Sequence, residues 1–257
     1  MDELFPIVYE DSGLLVVNKP AGLVCHPTKG DERSSLVGRL RLYFGPGGRA
    51  RLINRLDRET GGVILCAKTP EATKELGRRW ADRAVRKEYA ALVHGWPTQD
   101  AGEIALPLGR DEASEIAIRD RVRPDGAPAL TRYQVERRFE RAEGRFARLR
   151  IEPQTGRKHQ IRIHLAHLGH PLVGDKLYGP DEMLYLAFVK GRLTAADRRR
   201  LILPWQALHA TAVTLFWRGG ERRFAAPPEP WFEDFCQGRP VTWPPEQCPP
   251  RRFPAAR

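Results

Sequence analysis

The sequence predicts an α+β fold built on a mixed, largely antiparallel central sheet flanked by helices and loops. Three observations lead there: short β-type apolar runs recur along the chain, later segments alternate apolar and polar residues, and only three segments carry a helical period.

In chain order, Leu14 to Asn18 (LLVVN) is the first buried strand, apolar, β-branched and bounded by Gly13 and Pro20. Ser34 or Ser35 caps a helix in which Leu36, Leu40 and Tyr43 share a face. Val63 to Lys68 (VILCAK) is a second buried strand, and Thr69-Pro70 then supplies a cap and a first-turn proline for a helix with Ala72, Leu76 and Trp80 on one stripe. Tyr89 to His94 (YAALVH) is a third strand. In RFARLRIE, Ala147, Leu149 and Ile151 face one way and Arg148, Arg150 and Glu152 the other, the period of a half-solvated strand. The third helix carries Ile161, Leu165 and Leu168, stops at Gly169, and turns Arg162 and several histidines to its opposite side. HATAVTLFW closes the sheet, with Val213, Leu215 and Trp217 on one face. No internal repeat or linker interrupts this series, so residues 1–235 read as one domain; 236–257 form a Pro/Arg-rich tail, extended or disordered from Pro240 onward.

The 257 residues include 43 Lys and Arg against 32 Asp and Glu, a net charge of +11, so polyanions are attracted before any specific contact forms. Nucleic acid is the leading partner; the plain alternative is a solvated basic surface. Cys25, Cys66, Cys236 and Cys248 never form a C-x-x-C pair, which points away from a zinc knuckle or disulfide framework and towards reduced thiols. The acidic N-terminus has no h-region and no run approaches a membrane span, so a cytoplasmic protein without membrane association is expected.

The chemistry concentrates in Asn54-Arg55-Leu56-Asp57-Arg58-Glu59-Thr60-Gly61-Gly62, where one carboxylate stands between two guanidinium groups ahead of a glycine pair and a buried strand. Arg55 and Arg58 favour the ionised form of Asp57, suiting a nucleophile or an electrostatic stabiliser; a structural Arg-Asp pair at a turn is the alternative.

NRLDRETGG resembles the HRLD-x-x-TSG signature of the RluA-type RNA pseudouridine synthases, and further blocks of that family follow in order. Asn18-Lys19-Pro20-Ala21-Gly22-Leu23 with His26-Pro27 resembles its N-K-P-x-G-x…HP block. Arg86 to Gly95 resembles its K-x-Y-x-A-x-V-x-G strand, Thr155 to Leu165 with His170 to Asp175 its TGRxHQIRxHL…GHPxxGD block, and Gln206 to Ala210 its LHA block. Together they cover about residues 7 to 225, a far more specific signal than any one block. Two positions depart: Asn54 stands where His is usual, and Gly61-Gly62 where Ser-Gly is commoner.

The resemblance implies the pseudouridine synthase fold and a cofactor-independent isomerase that turns uridine into pseudouridine in an rRNA or tRNA stem-loop. It implies that Asp57 is catalytic, that Tyr89 stacks on the base and is a candidate for removing the C5 proton, and that Arg162 pairs with the aspartate. Arg55 aligns with a residue that fills the gap left by the flipped base. Ile161 lines the pocket, and the loop residues Asn54, Arg58, Thr60 and Gly61 complete the substrate-binding set. The reaction changes no oxidation state and loses no group, so neither metal nor organic cofactor is required. RNA is then gripped by the catalytic domain itself, with Arg78, Arg79, Arg83 and Arg86 or the segment from Arg110 to Arg123 as candidates. A monomer without an obligate protein partner is expected.

Three other readings compete. His159, His164, His167 and His170 lie close in sequence and invite a metal site, though no H-E-x-x-H arrangement accompanies them. A catalytically silent RNA-binding protein of the same fold is the second, and a nucleoside glycosylase, which releases free base, is the third.

Overall fold

The computed structural model describes residues 4–26, 32–46, 48 and 50–244. Its elements run β1 (Ile7–Glu10), β2 (Leu14–Lys19), α1 (Leu36–Phe44), β3 (Arg51–Leu52), β4 (Gly61–Ala67), α2 (Pro70–Ala81) and β5 (Val85–His94). They continue with β6 (Ala101–Ile104), β7 (Leu108–Arg110), β8 (Asp120–Val122), β9 (Thr131–Arg141), β10 (Gly144–Pro153) and α3 (Gln160–His167). Last come α4 (Met183–Val189), α5 (Ala195–Leu201), β11 (Leu208–Trp217), β12 (Gly220–Ala225) and α6 (Pro230–Cys236). The α+β class is as the sequence predicts.

The chain divides into two compact units, neither continuous in sequence. The first holds Met1–Ala90, Arg150–Thr155 and Leu208–Glu233; the second holds Ala91–Leu149, Gly156–Ala207 and the remainder.

In the first unit β2 pairs antiparallel with β1 and β4, β3 pairs antiparallel with β4, and β11 lies parallel to β4 and antiparallel to β12. The sheet is mixed and mainly antiparallel. Its central strands read as unbroken apolar runs because both faces are covered. Leu14, Val16, Val63 and Leu65 pack with Ala72 and Leu76 of α2, whereas Leu15, Val17, Ile64 and Cys66 pack with Leu36 and Leu40 of α1. Both helices start where the sequence places their caps: the Ser35 hydroxyl accepts from Gly38 N and the Thr69 hydroxyl from Ala72 N.

In the second unit β6 pairs antiparallel with β9, β10 neighbours β9, and β7 and β8 form a separate two-stranded ribbon. The segment from Arg110 to Arg123, a candidate RNA contact in the sequence, runs from the end of β7 through β8, and Asp111 within it is buried against Arg119. The third helix differs from its expected two-sided form. Gln160 through Leu165 are all buried, because the polar members find partners: Gln160 donates to Leu130 O and Thr131 Oγ1, and His164 bridges Thr131 Oγ1 and Leu106 O. Short helices α4 to α6 were not visible in the apolar period, although Thr194 and Asp197 form a complete capping box at α5. Cys236 ends α6 and is buried; of the expected tail, residues 245–257 lie outside the described residues.

Candidate active site

The loop from Asn54 to Thr60 delivers Asp57 to the N-terminal end of β4. Its entrance is pinned by Asn54, which is buried: Nδ2 donates to Val63 O at 3.1 Å and Oδ1 accepts from Leu65 N at 2.9 Å. One primary amide satisfies a donor and an acceptor on consecutive inward positions of the strand, so Asn does here what the loop requires. The exit is fixed by β4 itself, since Gly61 and Gly62 pair with His209 and Ala210 of β11. Gly62 has φ +117°, and a Cβ there would run into the Ala210 backbone. Between these ends Thr60 N donates to Asp57 O at 3.2 Å, closing a turn around the carboxylate.

A buried cation supports the loop from below. Lys19, with no exposed surface, donates from Nζ to Pro20 O (2.9 Å), Leu23 O (2.8 Å) and Arg58 O (3.2 Å). Gly22 N also donates to Arg58 O at 2.9 Å, and Arg58 Nε returns a bond to Gly22 O at 3.1 Å. The Asn18 to Leu23 block and the Asp57 loop are therefore one hydrogen-bonded piece. Burial lowers Lys19 to about 8, while the charges of Cys25, Glu229 and Asp57 draw it back up. His209, beside Gly61, is lowered to about 4 by burial and by Lys19, and so stays neutral.

Asp57 is half-buried, Arg55 is exposed and Arg58 half-buried. Tyr89, on β5, is half-buried, and burial together with the Asp57 charge holds its phenol well above the ordinary value. That coupling brings Tyr89 and Asp57 into one electrostatic neighbourhood. Two residues earlier on the same strand, Lys87 Nζ donates to Thr155 O at 3.0 Å; burial and then Arg83 lower it to about 8.

The second unit carries Arg162 and Ile161, both buried near the start of α3. Arg162 makes a bidentate ion pair with the fully buried Asp175, Nε to Oδ2 at 2.7 Å and Nη2 to Oδ1 at 2.9 Å. Burial pushes the Asp175 carboxyl up, but the Arg162 guanidinium and the N–H groups of Tyr178 and Leu177 outweigh it and leave the carboxyl below its ordinary range. The ring of Tyr178 lies 5.0 Å from the guanidinium, and its hydroxyl meets His159 Nδ1 at 3.0 Å. Arg162 is thereby held in one orientation.

The structure thus gathers Asp57, Tyr89, Asn54, Arg55, Arg58, Thr60 and Gly61 in the first unit, and places Arg162 and Ile161 in the second. Sequence reasoning missed Lys19 as a support and Asp175 as the partner of Arg162. The signal for Lys19 was a lysine at the end of an otherwise apolar strand. Three of the four histidines have separate partners: His159 meets Tyr178, His164 meets Thr131 and Leu106, and His170 meets His94 O. Among the described residues no group of three His, Cys, Asp or Glu side chains could hold a metal ion, and no helix is long and apolar enough to cross a membrane.

Comparison with known proteins adds an independent finding. Residues 13–167 match the family model described as RNA pseudouridylate synthase. The ribosomal large subunit pseudouridine synthase D of Haemophilus ducreyi is 38% identical over 216 residues, covering 81% of this chain and 62% of that protein. An uncharacterized RNA pseudouridine synthase of Aquifex aeolicus is 39% identical over 192 residues, covering 70% of this chain and 60% of its own length. The chain therefore spans about three fifths of the length of these relatives. Among solved structures, human RNA pseudouridylate synthase domain containing 1 superimposes with a TM-score of 0.72 at 25% identity, covering 96% of this chain and 94% of that one.

Proposed function

Because this chain belongs to the RNA pseudouridylate synthase family, we propose that it isomerises uridines in structured RNA to pseudouridine, with ribosomal RNA as the substrate class. In this reaction the bond from N1 to C1′ breaks, the uracil turns, C5 bonds to C1′, and the C5 proton leaves as N1 gains one. The observation that carries the reading is the carboxylate of Asp57 on a loop fixed at both ends, with its charge felt at the Tyr89 phenol.

Asp57 acts on the sugar or on the departing base as the catalytic carboxylate. Tyr89 presents its ring to the flipped uracil; with the phenol protonated, stacking and proton donation suit it better than removal of the C5 proton as a phenolate. Arg162, oriented by Asp175, is assigned the role of counter-ion to Asp57, and Ile161 an apolar wall that keeps water from the broken intermediate. Arg55, which is exposed, is assigned the stack that the base leaves, and Arg58 a place in the substrate-binding set. Asn54, Thr60 and Gly61 serve the substrate by setting the loop's path. Residues 1–235 act as the catalytic domain of a cytoplasmic monomer that uses no cofactor, with RNA as its macromolecular partner.

The test is release of tritium from carbon five of labelled uracil in RNA from the host. Wild-type protein releases it, and Asp57→Asn lowers the rate by at least about three orders of magnitude while retaining RNA binding. Wild-type protein that binds RNA and releases none would reduce the chain to a silent binder; release of free uracil would make it a glycosylase.

A further inference from the structure

The first unit carries a second feature that the chemistry at Asp57 does not use. A cavity of ≈ 1320 Å³ opens between the C-terminal half of α1, β3, the end of β4 and the start of α2. It lies at the Ala67 end of β4, whereas the Asp57 loop enters at Gly61. Seven strand residues separate the two ends by about 20 Å.

The charge pattern at this cavity is one-sided. Arg41, Arg51, Lys68 and Lys74 line it, against Glu32 as the acid. Lys68 is occupied by Glu10, at 2.6 Å. Among the described residues, no carboxylate partner is found for Arg41, Arg51 or Lys74. Some surface arginines of the same unit are paired, Arg79 with Glu75, Arg86 with Glu221 and Arg223 with Glu88, but none of those lines this cavity. Three like charges facing one cavity repel each other, an arrangement that an external polyanion relieves. The first turn of α2, which also lines the cavity at Thr69 and Pro70, adds the positive end of a twelve-residue helix.

We propose that this cavity binds phosphodiester groups of the substrate RNA at a distance from the target uridine, and so positions the RNA on the enzyme. This rests on the synthase reading for the identity of the polyanion. Three features favour an RNA segment over a single small anion. The volume exceeds the range of about 300 to 1,000 Å³ typical of small-molecule pockets. Apolar wall from Leu42, 40% exposed, is available to ribose faces. The two ends of β4, with the cavity at one and the Asp57 loop entering at the other, stand about 20 Å apart, which a folded RNA spans and a free nucleotide does not. Contacts of this kind set register and affinity without reading sequence.

The experiment compares wild-type protein with Arg41→Gln/Arg51→Gln/Lys74→Gln, using deproteinised ribosomal RNA from the host. The triple variant should bind about tenfold or more weakly near physiological salt, and its slope of log affinity against log salt should flatten by about 2 to 3. KM should rise with kcat unchanged, and turnover of a short stem-loop should be unaffected. An unchanged slope overturns the proposal even if turnover is normal. A flattened slope in a protein that releases no tritium supports the RNA contact while the synthase reading fails. If inorganic phosphate binds wild-type protein but not the variant, and the RNA slope is the same for both, the site is one for small anions and the proposal is overturned. Should the triple variant not fold, ultraviolet cross-linking of wild-type protein decides. Nucleotide adducts on peptides spanning 41–51 or 67–74 support the contact, and adducts confined to other peptides overturn it.

Discussion

Adjacent glycines at the start of β4 should respond very differently to the same added methyl group. At Gly62 an alanine Cβ would meet the Ala210 backbone, the nitrogen at 2.6 Å and the carbonyl carbon at 2.8 Å, and φ is +117°. Neither obstacle can swing aside, because Ala210 is paired to this strand in the parallel ladder. Backbone strain of about 1–3 kcal/mol and overlap of about 1–3 kcal/mol are offset by about 0.4–1 kcal/mol from a stiffer unfolded chain, so Gly62→Ala should cost about 3 kcal/mol. At Gly61 the nearest atoms are His209 Nδ1 at 2.9 Å and Glu229 Oε2 at 3.1 Å, both on side chains, with Lys19 O at 3.2 Å. Side chains give way more cheaply, and Gly61→Ala should cost about 1 kcal/mol or less. For a chain of this length Gly62→Ala should lower Tm by about 6–12 °C and Gly61→Ala by no more than about 4 °C. Urea midpoints at constant slope provide the free energies. Equal losses at the two positions would refute the view that the β4–β11 pairing, rather than loop freedom, accounts for the second glycine.

Three further outcomes follow from the geometry. Asn54→Leu leaves Leu65 N–H and Val63 C=O without the amide that satisfies them, which should cost about 2–4 kcal/mol and displace Asp57, seen as a fall in kcat larger than the rise in KM. Asp175→Asn deprives the buried Arg162 of its anion and should destabilise by about 3–5 kcal/mol; Arg162→Met combined with Asp175→Leu should recover part of that in urea unfolding, though not activity. For acid stability, burial pushes the Asp11 carboxyl up, but Trp217 Nε1, the N–H groups of Gly13 and Leu14 and the Tyr9 hydroxyl overcome it and hold it at about 2. Since the folded value lies below the ordinary 3.8, this stabilisation is full above about pH 4 and is lost as pH falls towards 2. It amounts to about 2 kcal/mol before solvent screening and about 1 after. Asp11→Asn should flatten the stability profile in that window and leave the profile near neutrality parallel to wild type.

What could be read from the sequence was local. LLVVN and VILCAK were recognisable as strands because both faces of the sheet are covered and the apolar runs are unbroken. The starts of α1 and α2 were legible because a cap is a contact between residues three apart. The Asp57 loop was legible from its two arginines and two glycines. Distant partners were not. Arg162 and His164 could be placed on the polar side of a helix but not given these partners, because Asp175, Thr131 and Leu106, which make their burial tolerable, stand 13 to 58 residues away. Lys19 is similar: nothing in its neighbourhood announces that Leu23 and Arg58 will offer their carbonyls to one ammonium. Asn54 looked like a defect in a motif, and only its bonds to β4 give it a purpose.

The threading of the chain bears on how the protein is made. The first compact unit stays incomplete until Leu208–Glu233 has been synthesised, because β11, the parallel neighbour of β4, belongs to it. During translation, residues 1–90 wait with the Gly61–Gly62 end of β4 lacking its β11 partner while more than a hundred further residues emerge. Nascent chains arrested before residue 208 should therefore remain protease-sensitive in their N-terminal third, and a chaperone that shields an open strand edge has its longest opportunity there.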